Sequence, residues 1–304
     1  KKYFDFPSES PSHDTFQRIW DSISPNEFLD SFLYFTQSIE KMAGDIISID
    51  GKTIRNSGKN KPLHIVSAWC QTNQLVLAQE KVDVKSNEIT AIPQLLKLLD
   101  LKDRIVTIDA MGAQREICDQ IIGQLGDYVI SLKGNQGTLH QDVKLYLQDH
   151  HEESNENNDK GHGRLEQRIA VVSRSIDWLQ KEHKWPGLKT IGMVNSHVTK
   201  GDKETSETRF YISSLELSAQ QLNEIARKHW GIENQLHWRL DVVFNEDKAC
   251  IRNDNAAENM DIMRKWALNS ISRVKEKPEQ SIKGIMKKNS MSFKYLIESV
   301  NNSV

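Results

Sequence analysis

The 304-residue chain has few cysteines and no long apolar runs. Cys70, Cys118 and Cys250 lie far apart without any C-x-x-C spacing, which argues against a disulfide framework and against a zinc ribbon. No uninterrupted apolar run approaches the roughly 18 residues that a membrane-spanning helix needs, and no charged-then-apolar leader opens the sequence. We therefore expect a protein of the reducing cytosol that does not contact a membrane.

A strong excess of one charge is also lacking, although the two ends of the chain differ. The 40 Lys and Arg residues face 42 Asp and Glu residues, for a net charge of −2, which argues weakly against nucleic-acid binding. Residues 1–40 hold three basic and seven acidic residues, whereas residues 264–304 hold nine basic and three acidic ones. This basic tail fits a solvated helix face and a phosphate-contacting surface equally well.

The length predicts about two domains, or one domain with an insertion, at roughly 150 residues per domain. Because the chain begins with Lys1 rather than Met, we expect a further segment before it. The patterns described below divide the chain into an N-terminal helical segment (1–43), a core in two parts (44–150 and 216–270), a β-rich insertion (151–215) and a basic C-terminal helical tail (271–304).

The first half of the chain alternates between helical and strand-like spacing. Apolar residues predict two short helices across 14–42, and then three strands of an antiparallel meander at Asp45–Asp50, Leu63–Trp69 and Leu75–Val84. A helix capped by Ser86 or Asn87 follows. Next come a strand, a helix and a strand, at Arg104–Asp109, 113–125 and Tyr128–Leu132. This order implies parallel pairing of the two strands through a right-handed crossover.

The second half begins with a predicted helix over 138–149. Residues 150–161 contain no apolar side chain, which predicts a linker or an exposed loop. Strand-like alternation follows in three segments, at 164–174, 188–199 and 207–214. Helical spacing then returns from Leu222 to Val243, and another helix is predicted over 256–273.

Two of the predicted strands end in Ile-Asp, at Asp50 and Asp109. Catalytic and binding groups collect at the carboxyl ends of parallel strands, so these two carboxylates are candidate site residues. Each also has a simpler interpretation. Asp50-Gly51 is a strong hairpin signal, and Asp109 is well placed to cap the helix that follows it.

A third candidate carboxylate, Glu233, lies in the late helical segment. Regular α-helical spacing would place Ala226, Trp230, Glu233, His237 and Asp241 on one face, at the edge of the apolar stripe. A solvent-exposed Glu and a functional one are equally compatible with this position. Trp230 and the nearby Trp238 fit core packing better than stacking on a displaced base. Three carboxylates from separate elements are what a pair of Mg²⁺ ions requires.

Six short strings, in order along nearly the whole chain, carry a family resemblance. They are Pro-Ser-His-Asp-Thr (11–15), Ile-Ser-Ile-Asp-Gly-Lys (47–52), Val-Thr-Ile-Asp-Ala-Met (106–111), Ser-Leu-Lys-Gly-Asn-Gln (131–136), Gly-His-Gly-Arg-Leu-Glu (161–166) and His-Trp-Gly-Ile-Glu-Asn-Gln-Leu-His-Trp-Arg-Leu-Asp-Val-Val-Phe (229–244). With these strings the sequence resembles the ISAs-type insertion-sequence transposases, the branch that includes the H-repeat-associated proteins. Any one string is a weak signal, whereas six in order are specific.

The resemblance implies an α/β fold with a ribonuclease-H-like mixed sheet core and helices, interrupted by a β-rich insertion. It also implies a DDE triad of Asp50, Asp109 and Glu233, which would be both catalytic and metal-binding. The implied cofactor is a pair of Mg²⁺ ions, for which Mn²⁺ can substitute. In related enzymes the third acid follows a β-rich insertion, which accounts for the long separation between Asp109 and Glu233.

The activity that the resemblance implies is metal-dependent cleavage and strand transfer at the ends of an insertion sequence. The implied partner is double-stranded DNA, both the terminal inverted repeats of the element and the target, bound by a homodimer. The implied location is the bacterial cytoplasm, in association with the nucleoid. Three alternatives stay open: a metal-dependent nuclease on the same core, an inactive DNA-binding remnant that has lost its N-terminal end-recognition segment, and a purely structural protein. The structural alternative explains the basic tail but not the six ordered strings.

The late helix departs from a pattern found in some related groups, which place a Tyr, an Arg and a Lys at fixed steps around the third acid. This chain has Ala226, His229 and Leu240 at those positions. The DNA-contacting roles of that pattern therefore cannot be transferred.

Six basic residues are our candidates for DNA contact. The hypothesis for the late helix is that Arg227, His237 and Arg239 replace the missing pattern. Lys52 and Lys133 follow two of the strands and are expected to reach phosphates near the metal ions, because a point charge suits a phosphate. Arg164 lies on one strand face with Glu166 and Arg168, where a DNA contact and a surface ion-pair ladder are equally compatible with the sequence.

Overall fold

The fold is that of a computed structural model, which describes residues 11–39, 45–57, 61–83, 86–161, 163–274 and 280–301. The strands in these ranges are β1 (Ile46–Ile54), β2 (Leu63–Cys70), β3 (Leu75–Lys81), β4 (Ile105–Ile108), β5 (Asp127–Leu132), β6 (Glu153–Gly161), β7 (Arg164–Ser173), β8 (Thr190–Lys200) and β9 (Lys203–Ser213). The helices are α1 (His13–Ser22), α2 (Pro25–Ile39), α3 (Glu88–Lys97), α4 (Arg115–Gly123), α5 (Gly137–Asp149), α6 (Asp177–His183), α7 (Ala219–His229), α8 (Trp238–Val242), α9 (Asp254–Arg273), α10 (Ile282–Met291) and α11 (Phe293–Asn301).

The strands form one sheet in the order β3-β2-β1-β4-β5-β9-β8-β7-β6. The three central strands β1, β4 and β5 are parallel, as the strand, helix, strand pattern predicts. β2 and β3 pair antiparallel on one side. On the other side β9 pairs antiparallel with β5, and β8, β7 and β6 continue the antiparallel part. The predicted mixed sheet with a β-rich insertion is confirmed, and the insertion extends the core sheet.

Helices cover the central strands on both faces, which explains why these strands are almost wholly apolar. Ile47, Ile49 and Val106 are fully shielded from solvent. On one face α7 buries Leu222 and Ile225 in a cluster with side chains of β5, β7, β8 and β9. Full burial of one such aliphatic side chain stabilises the fold by roughly 1.5–3 kcal/mol. The carboxyl ends of the parallel strands are thus held on a rigid support.

The prediction of a linker or exposed loop over 150–161 is wrong, because β6 occupies most of this segment. β6 pairs with β7 over its whole length, from Glu153 opposite Val172 to Gly161 opposite Arg164. Its side chains are exposed or half-buried, so apolar alternation is missing from the sequence. Backbone pairing and cross-strand bonds such as Gln167 Nε2 to Glu156 Oε1 (2.7 Å) stabilise it instead.

The late helix is not continuous, in contrast to the predicted helical spacing from Leu222 to Val243. α7 ends at His229, and Ile232–His237 form a π-helical turn that leads into α8. The wider turn changes which side chains share a face: Glu233 is exposed whereas His237 is buried. The preference for core packing of Trp230 and Trp238 is also wrong, since 36% and 55% of these residues are exposed.

Contacts divide the chain into two compact units, residues 40–52 with 65–239 and residues 1–39 with 53–64 and 240–304. The second unit is built around Trp266 of α9, whose ring packs against Phe28, Phe32 and Phe35 of α2. The four-part domain division of the sequence stays a prediction. Within the described residues, every helix is too short or too polar to cross a membrane.

Candidate active site

The first predicted site residue, Asp50, lies on β1 directly after the buried pair Ile47 and Ile49. Its side chain keeps 26% of its surface exposed. β1 continues beyond it through Gly51 and Lys52, so the hairpin that Asp50-Gly51 suggested is not formed there. The carboxyl group therefore lies at the edge of the core, where it is partly shielded from water.

Asp109 follows the last residue of β4, which is the parallel neighbour of β1. The register places Ile49 beside Ile108, so the next residue of each strand is an Asp and the two lie side by side. Asp109 Oδ1 also accepts a hydrogen bond from the backbone N–H of Met111 (2.9 Å), which caps a short 3₁₀ turn at Ala110–Gly112. Asp109 thus caps the turn and also lies at the end of the strand. The cap uses only Oδ1, so it leaves the second carboxylate oxygen for another role.

Glu233 is the second residue of the π turn and is exposed. π turns are rare and occur frequently at functional sites, where the wider turn redirects a side chain. No residue in this segment is a proline or a glycine apart from Gly231, so the sequence gives no signal for the wider turn. The turn presents Glu233 on the same side of the sheet as the two aspartates.

Electrostatics shows that these carboxylates come together. The pKa of Asp50 is raised to about 7, chiefly by burial and also by the negative charges of Glu88, Asp109 and Glu233, while a hydrogen bond from the Gly51 backbone acts in the opposite direction. Burial and like charges both disfavour the ionised carboxyl group. His237 Nδ1 lies 3.7 Å from Asp50 Oδ2. Asp109, Glu233 and Glu88 therefore all lie close enough to Asp50 to act on its charge, and the assignment of Asp50, Asp109 and Glu233 as a triad stays a prediction.

Glu88, the first residue of α3, is a fourth acid that sequence reasoning missed. Its carboxylate packs so closely over Gly51 that a Cβ at position 51 would overlap it. In the sequence, an acid in the first turn of a helix is explained by the helix dipole alone. Only the path of the chain from β3 into α3 brings it beside Asp50.

The donor set fits divalent cations. Hard cations such as Mg²⁺ prefer carboxylate oxygens, and four acids at this edge of the sheet supply them. The space at Gly51 that a Cβ would fill is taken by the Glu88 carboxylate, and the negative charges of Glu88, Asp109 and Glu233 all raise the pKa of Asp50. Among the residues that the structure describes, no group of three His, Cys, Asp or Glu side chains could hold one ion by itself. Mg²⁺ needs only one or two carboxylates when phosphate oxygens and waters complete its shell.

A chain of buried and half-buried polar side chains lies beside the acids. Thr107 Oγ1 donates to Ser48 Oγ (3.1 Å), and Gln71 Nε2 donates to the same oxygen (3.1 Å). Thr107 Oγ1 lies 3.0 Å from His229 Nδ1; since the hydroxyl proton goes to Ser48, the histidine N–H donates to it. Burial and the charge of Arg209 lower the pKa of His229 to about 4, so the ring is neutral at pH 7. We call Ser48, Gln71, Thr107 and His229 the polar chain.

The polar chain connects the elements that carry the triad. Ser48 and Thr107 each lie two residues before an aspartate and so share its face of the strand. His229 is the last residue of α7, four positions before Glu233. A Cβ at Gly231 would overlap the side chain of Gln71, so the glycine permits the close approach. The arrangement fixes the late helix against β1 and β4.

The two candidate lysines lie close to the acids. Lys52 is half-buried on β1, and Lys133 is exposed directly after β5. The turn after Lys133 is held to the segment after β4, because Asn135 Nδ2 donates to the carbonyl of Ala110 (2.6 Å). Lys133 and Asp109 line the same small cavity, of about 70 Å³.

Arg164 and Arg227 line a larger concavity of about 750 Å³ on the α7 face of the insertion, here called the arginine groove. Its other basic and aromatic lining residues are Arg168, Arg209, Tyr211 and Trp230. All four arginines pair with a carboxylate: Arg164 with Glu166 (2.9 Å), Arg168 also with Glu166 (3.9 Å), Arg209 with Glu207 (2.7 Å) and Arg227 with Asp159. The ion-pair ladder that the sequence left open is thus formed.

Arg168 and Arg209 differ from the other arginines of this groove in their surroundings. Arg168 is buried, and its Nε makes no hydrogen bond within the part of the chain that the structure describes, although it lies 3.9 Å from Glu166 Oε1. The Arg209 guanidinium lies 4.0 Å above the ring of Trp230. A buried donor and a stacked cation both favour an anionic or aromatic ligand in this groove.

The remaining two candidates for DNA contact lie elsewhere. His237 is buried beside Asp50, and Arg239 Nη2 donates to Gln74 Oε1 (3.0 Å) in the turn between β2 and β3. The six candidates are therefore divided among the carboxylate site, the arginine groove and the β2–β3 turn. Their assignment to DNA stays a prediction.

Comparison with known proteins places these observations in a family context. A family model for the transposase DDE domain matches residues 41–270. The H repeat-associated candidate transposase YhhI of Escherichia coli (strain K12) is 40% identical over 290 residues, which cover 90% of this chain and 77% of YhhI. The candidate transposase YncI of Escherichia coli O157:H7 is also 40% identical over 290 residues, with 91% of this chain and 74% of YncI covered.

Among solved structures, the chain is similar to the piggyBac transposase, determined in a synaptic complex with hairpin DNA. The TM-score is 0.55 at 12% sequence identity, and the match covers 95% of this chain but only 60% of the piggyBac chain. At this identity the likeness concerns the fold. Together with the parallel β1, β4 and β5, it confirms the predicted ribonuclease-H-like core.

Proposed function

This chain belongs to the transposase DDE domain family, and on that premise we propose that it cleaves DNA at the ends of an insertion sequence and joins the freed end to target DNA. The observation that carries the proposal is the convergence of Asp109, Glu233 and Glu88 on Asp50 from separate elements. Like charges on a partly buried edge oppose folding, which is understandable if they serve a cationic ligand.

In this proposal Asp50, Asp109 and Glu233 would hold two Mg²⁺ ions, with Mn²⁺ as a substitute. Such a metal pair would supply Lewis acidity at the attacking and the leaving oxygen of an in-line displacement at phosphorus. Asp50 is central to this set, because the charges of Asp109, Glu233 and Glu88 all act on it. Glu233, on its π turn, completes the site from the side of the late helix.

The other residues near the site bind and orient DNA. Lys133 and Lys52 contact the phosphates beside the reacting phosphorus, where a compact positive charge suits a phosphate oxygen. The polar chain keeps Glu233 at a fixed distance from the two aspartates. Displacement by water frees a 3′-hydroxyl, and displacement by that hydroxyl joins it to the target, so no covalent bond between protein and DNA is required.

The arginine groove, with Arg164 and Arg227, is our candidate surface for the terminal inverted repeats. Synapsis of two element ends calls for at least two copies of the chain, so the proposal includes a homodimer on DNA. The place of action is the bacterial nucleoid in the cytoplasm. These parts of the proposal rest on what family membership implies about the partner.

The experiment incubates the purified chain with Mg²⁺ or Mn²⁺ and labelled duplex DNA that carries the end of its own element. Three-prime cleavage and joined products are expected for the wild type, and Asp109→Asn should give neither while still binding DNA. Asp119→Asn, which changes an exposed aspartate on α4, is the matched control. Products that persist in Asp109→Asn would contradict the assignment of the site. Cleavage without joining would favour the nuclease alternative, and binding without cleavage the inactive remnant.

A further inference from the structure

A second concave surface lies on the opposite face of the insertion from the arginine groove. It has a volume of about 600 Å³ and is formed between α5 and the adjoining strands β5, β8 and β9. We call it the lysine groove; the lining residues that matter here are Lys133, His140, Lys144, Asn195, Thr208 and Phe210. Asn195 and Thr208 are cross-strand partners, and the Thr208 hydroxyl donates to Asn195 Oδ1 (2.7 Å).

The lysine groove differs from the arginine groove in charge. None of the residues that line it is acidic, whereas Glu166 and Glu207 line the arginine groove and pair with its arginines. Lys133 and Lys144 are both exposed. Burial and the charge of Lys144 lower the pKa of His140, so at pH 7 this ring is neutral and offers hydrogen bonds. The groove therefore presents lysine charge that no carboxylate of its own wall offsets.

The side chains of the two grooves suit different parts of a DNA duplex. Lysines, a hydroxyl and an amide suit phosphate and sugar oxygens, which position a duplex without reading its sequence. The arginine groove adds Asn234 and Gln235 to its arginines, and these side chain types recognise base edges. One groove is thus equipped for sequence-independent contact and the other for sequence reading.

Both grooves adjoin the small cavity that contains Asp109. Ser131, Lys133 and Arg209 line the lysine groove and also the small cavity that contains Asp109. Arg209 and Trp230 line the arginine groove and that same cavity. Strand transfer requires two DNA segments to meet at one metal site. Two grooves that adjoin one cavity meet this requirement.

We propose that the lysine groove binds the target DNA duplex through its phosphates, while the arginine groove holds the element end. This inference rests on the proposed function. In the joining step the 3′-hydroxyl of the element end forms a new bond to a target phosphorus and gives up its proton to solvent. The bond from that phosphorus to the target 3′-oxygen breaks, and this oxygen takes up a proton from solvent and leaves as a new 3′-hydroxyl.

The first test measures binding of the full chain to a random-sequence duplex without the element end, over a range of salt concentrations. Lys144→Gln should bind more weakly and should lower the slope of log affinity against log salt by about 0.9, because one phosphate contact is lost. Lys97→Gln is the matched control, since Lys97 is an exposed lysine on α3 outside both grooves. An unchanged slope in Lys144→Gln overturns the proposal.

The second test measures joining to a target plasmid relative to cleavage of the element end. In Lys144→Glu the ratio of joined to cleaved product should fall roughly tenfold, since a repelling charge replaces a phosphate contact. A parallel loss of cleavage and joining would place the element end in the lysine groove and overturn the proposal. If the wild type neither cleaves nor joins, the proposed function fails, and the salt slope still decides the lysine groove.

Discussion

The carboxylate site and the insertion use acidic side chains in opposite ways. At the site, Asp50 faces Glu88, Asp109 and Glu233, and its pKa is raised to about 7. In the insertion, Glu152 accepts hydrogen bonds from the Ser175 hydroxyl and from Arg174, and its pKa is lowered to about 2. Neighbouring carboxylates disfavour the ionised form of an acid, whereas hydrogen-bond donors favour it.

The opposite pKa shifts of Asp50 and Glu152 distinguish acidic side chains that stabilise this fold from acidic side chains that serve a ligand. The paired acids of the insertion help to hold β6 and β7, whose exposed faces bury little apolar surface. The acids of the site destabilise the folded state when they are ionised, so stability alone does not explain them. Three substitutions test this contrast, in descending order of expected effect.

Asp50→Asn has the largest expected effect on activity and no cost in stability. The change removes a proposed metal ligand and should lower end cleavage by about 10³-fold or more, because metal ligation supplies several kcal/mol of transition-state stabilisation. The free energy of unfolding at pH 7, measured in urea, should be unchanged or higher, because a like charge is removed. Cleavage near the wild-type rate, or a clear loss of stability, would contradict the contrast.

Thr107→Val tests whether the polar chain positions the site. The hydroxyl bonds to Ser48 and His229 are lost, which should lower the free energy of unfolding by about 1 kcal/mol and cleavage by roughly tenfold, since misplacement of catalytic groups is costly. Thr190→Val is the matched control, as this buried hydroxyl also makes two hydrogen bonds, with Leu215 and Leu217 in the insertion.

The control variant should lose similar stability and keep its cleavage rate. Thr107→Ser, which restores the hydroxyl, should recover most of the cleavage. If Thr107→Val and Thr190→Val lower cleavage equally, the polar chain stabilises the fold but does not position the site.

Glu152→Gln has the smallest expected effect, and it depends on pH. The folded-state pKa lies below the ordinary value, so the unfolded state binds more protons as the pH falls. Glu152 therefore stabilises the fold above about pH 4.5, and this contribution is lost as the pH falls towards about 2. Allowing for solvent screening, the free energy of unfolding of the wild type should exceed that of the variant by about 1 kcal/mol at pH 7, and the two should be equal near pH 2. Denaturant titrations at both pH values measure this difference in the free energy of unfolding. A difference that is the same at pH 7 and pH 2 would refute the stabilising role of the Glu152 carboxylate.

Much of the core could be predicted from the sequence because its signals are local. β-branched runs that end in Asp at positions 50 and 109 predict strands and place both acids at one edge. The insertion was only partly predictable. β6 carries no apolar alternation, and it is a strand because β7 offers it backbone partners along its whole length.

The residues of the candidate site also divide into those with a local sequence signal and those without one. Asp50 and Asp109 could be proposed from the strand ends, and Glu233 could be chosen only with the help of the family resemblance. Glu88 could not be found, since an acid in the first turn of a helix has an ordinary explanation in the helix dipole. The exposure of Trp230 and Trp238 was equally hidden, because an aromatic residue in a helical pattern does not reveal what packs against it.

The sequence by itself determined most elements of the core, the family to which the chain belongs and the two aspartates at the strand ends. Those properties depend on neighbouring residues and on short ordered strings. The tertiary structure decided the π turn at Glu233, the approach of Glu88 to Gly51, the polar chain and the separation of two grooves on opposite faces of the insertion. Each of these depends on residues that are distant in the chain, and only chain packing sets their distances and their burial.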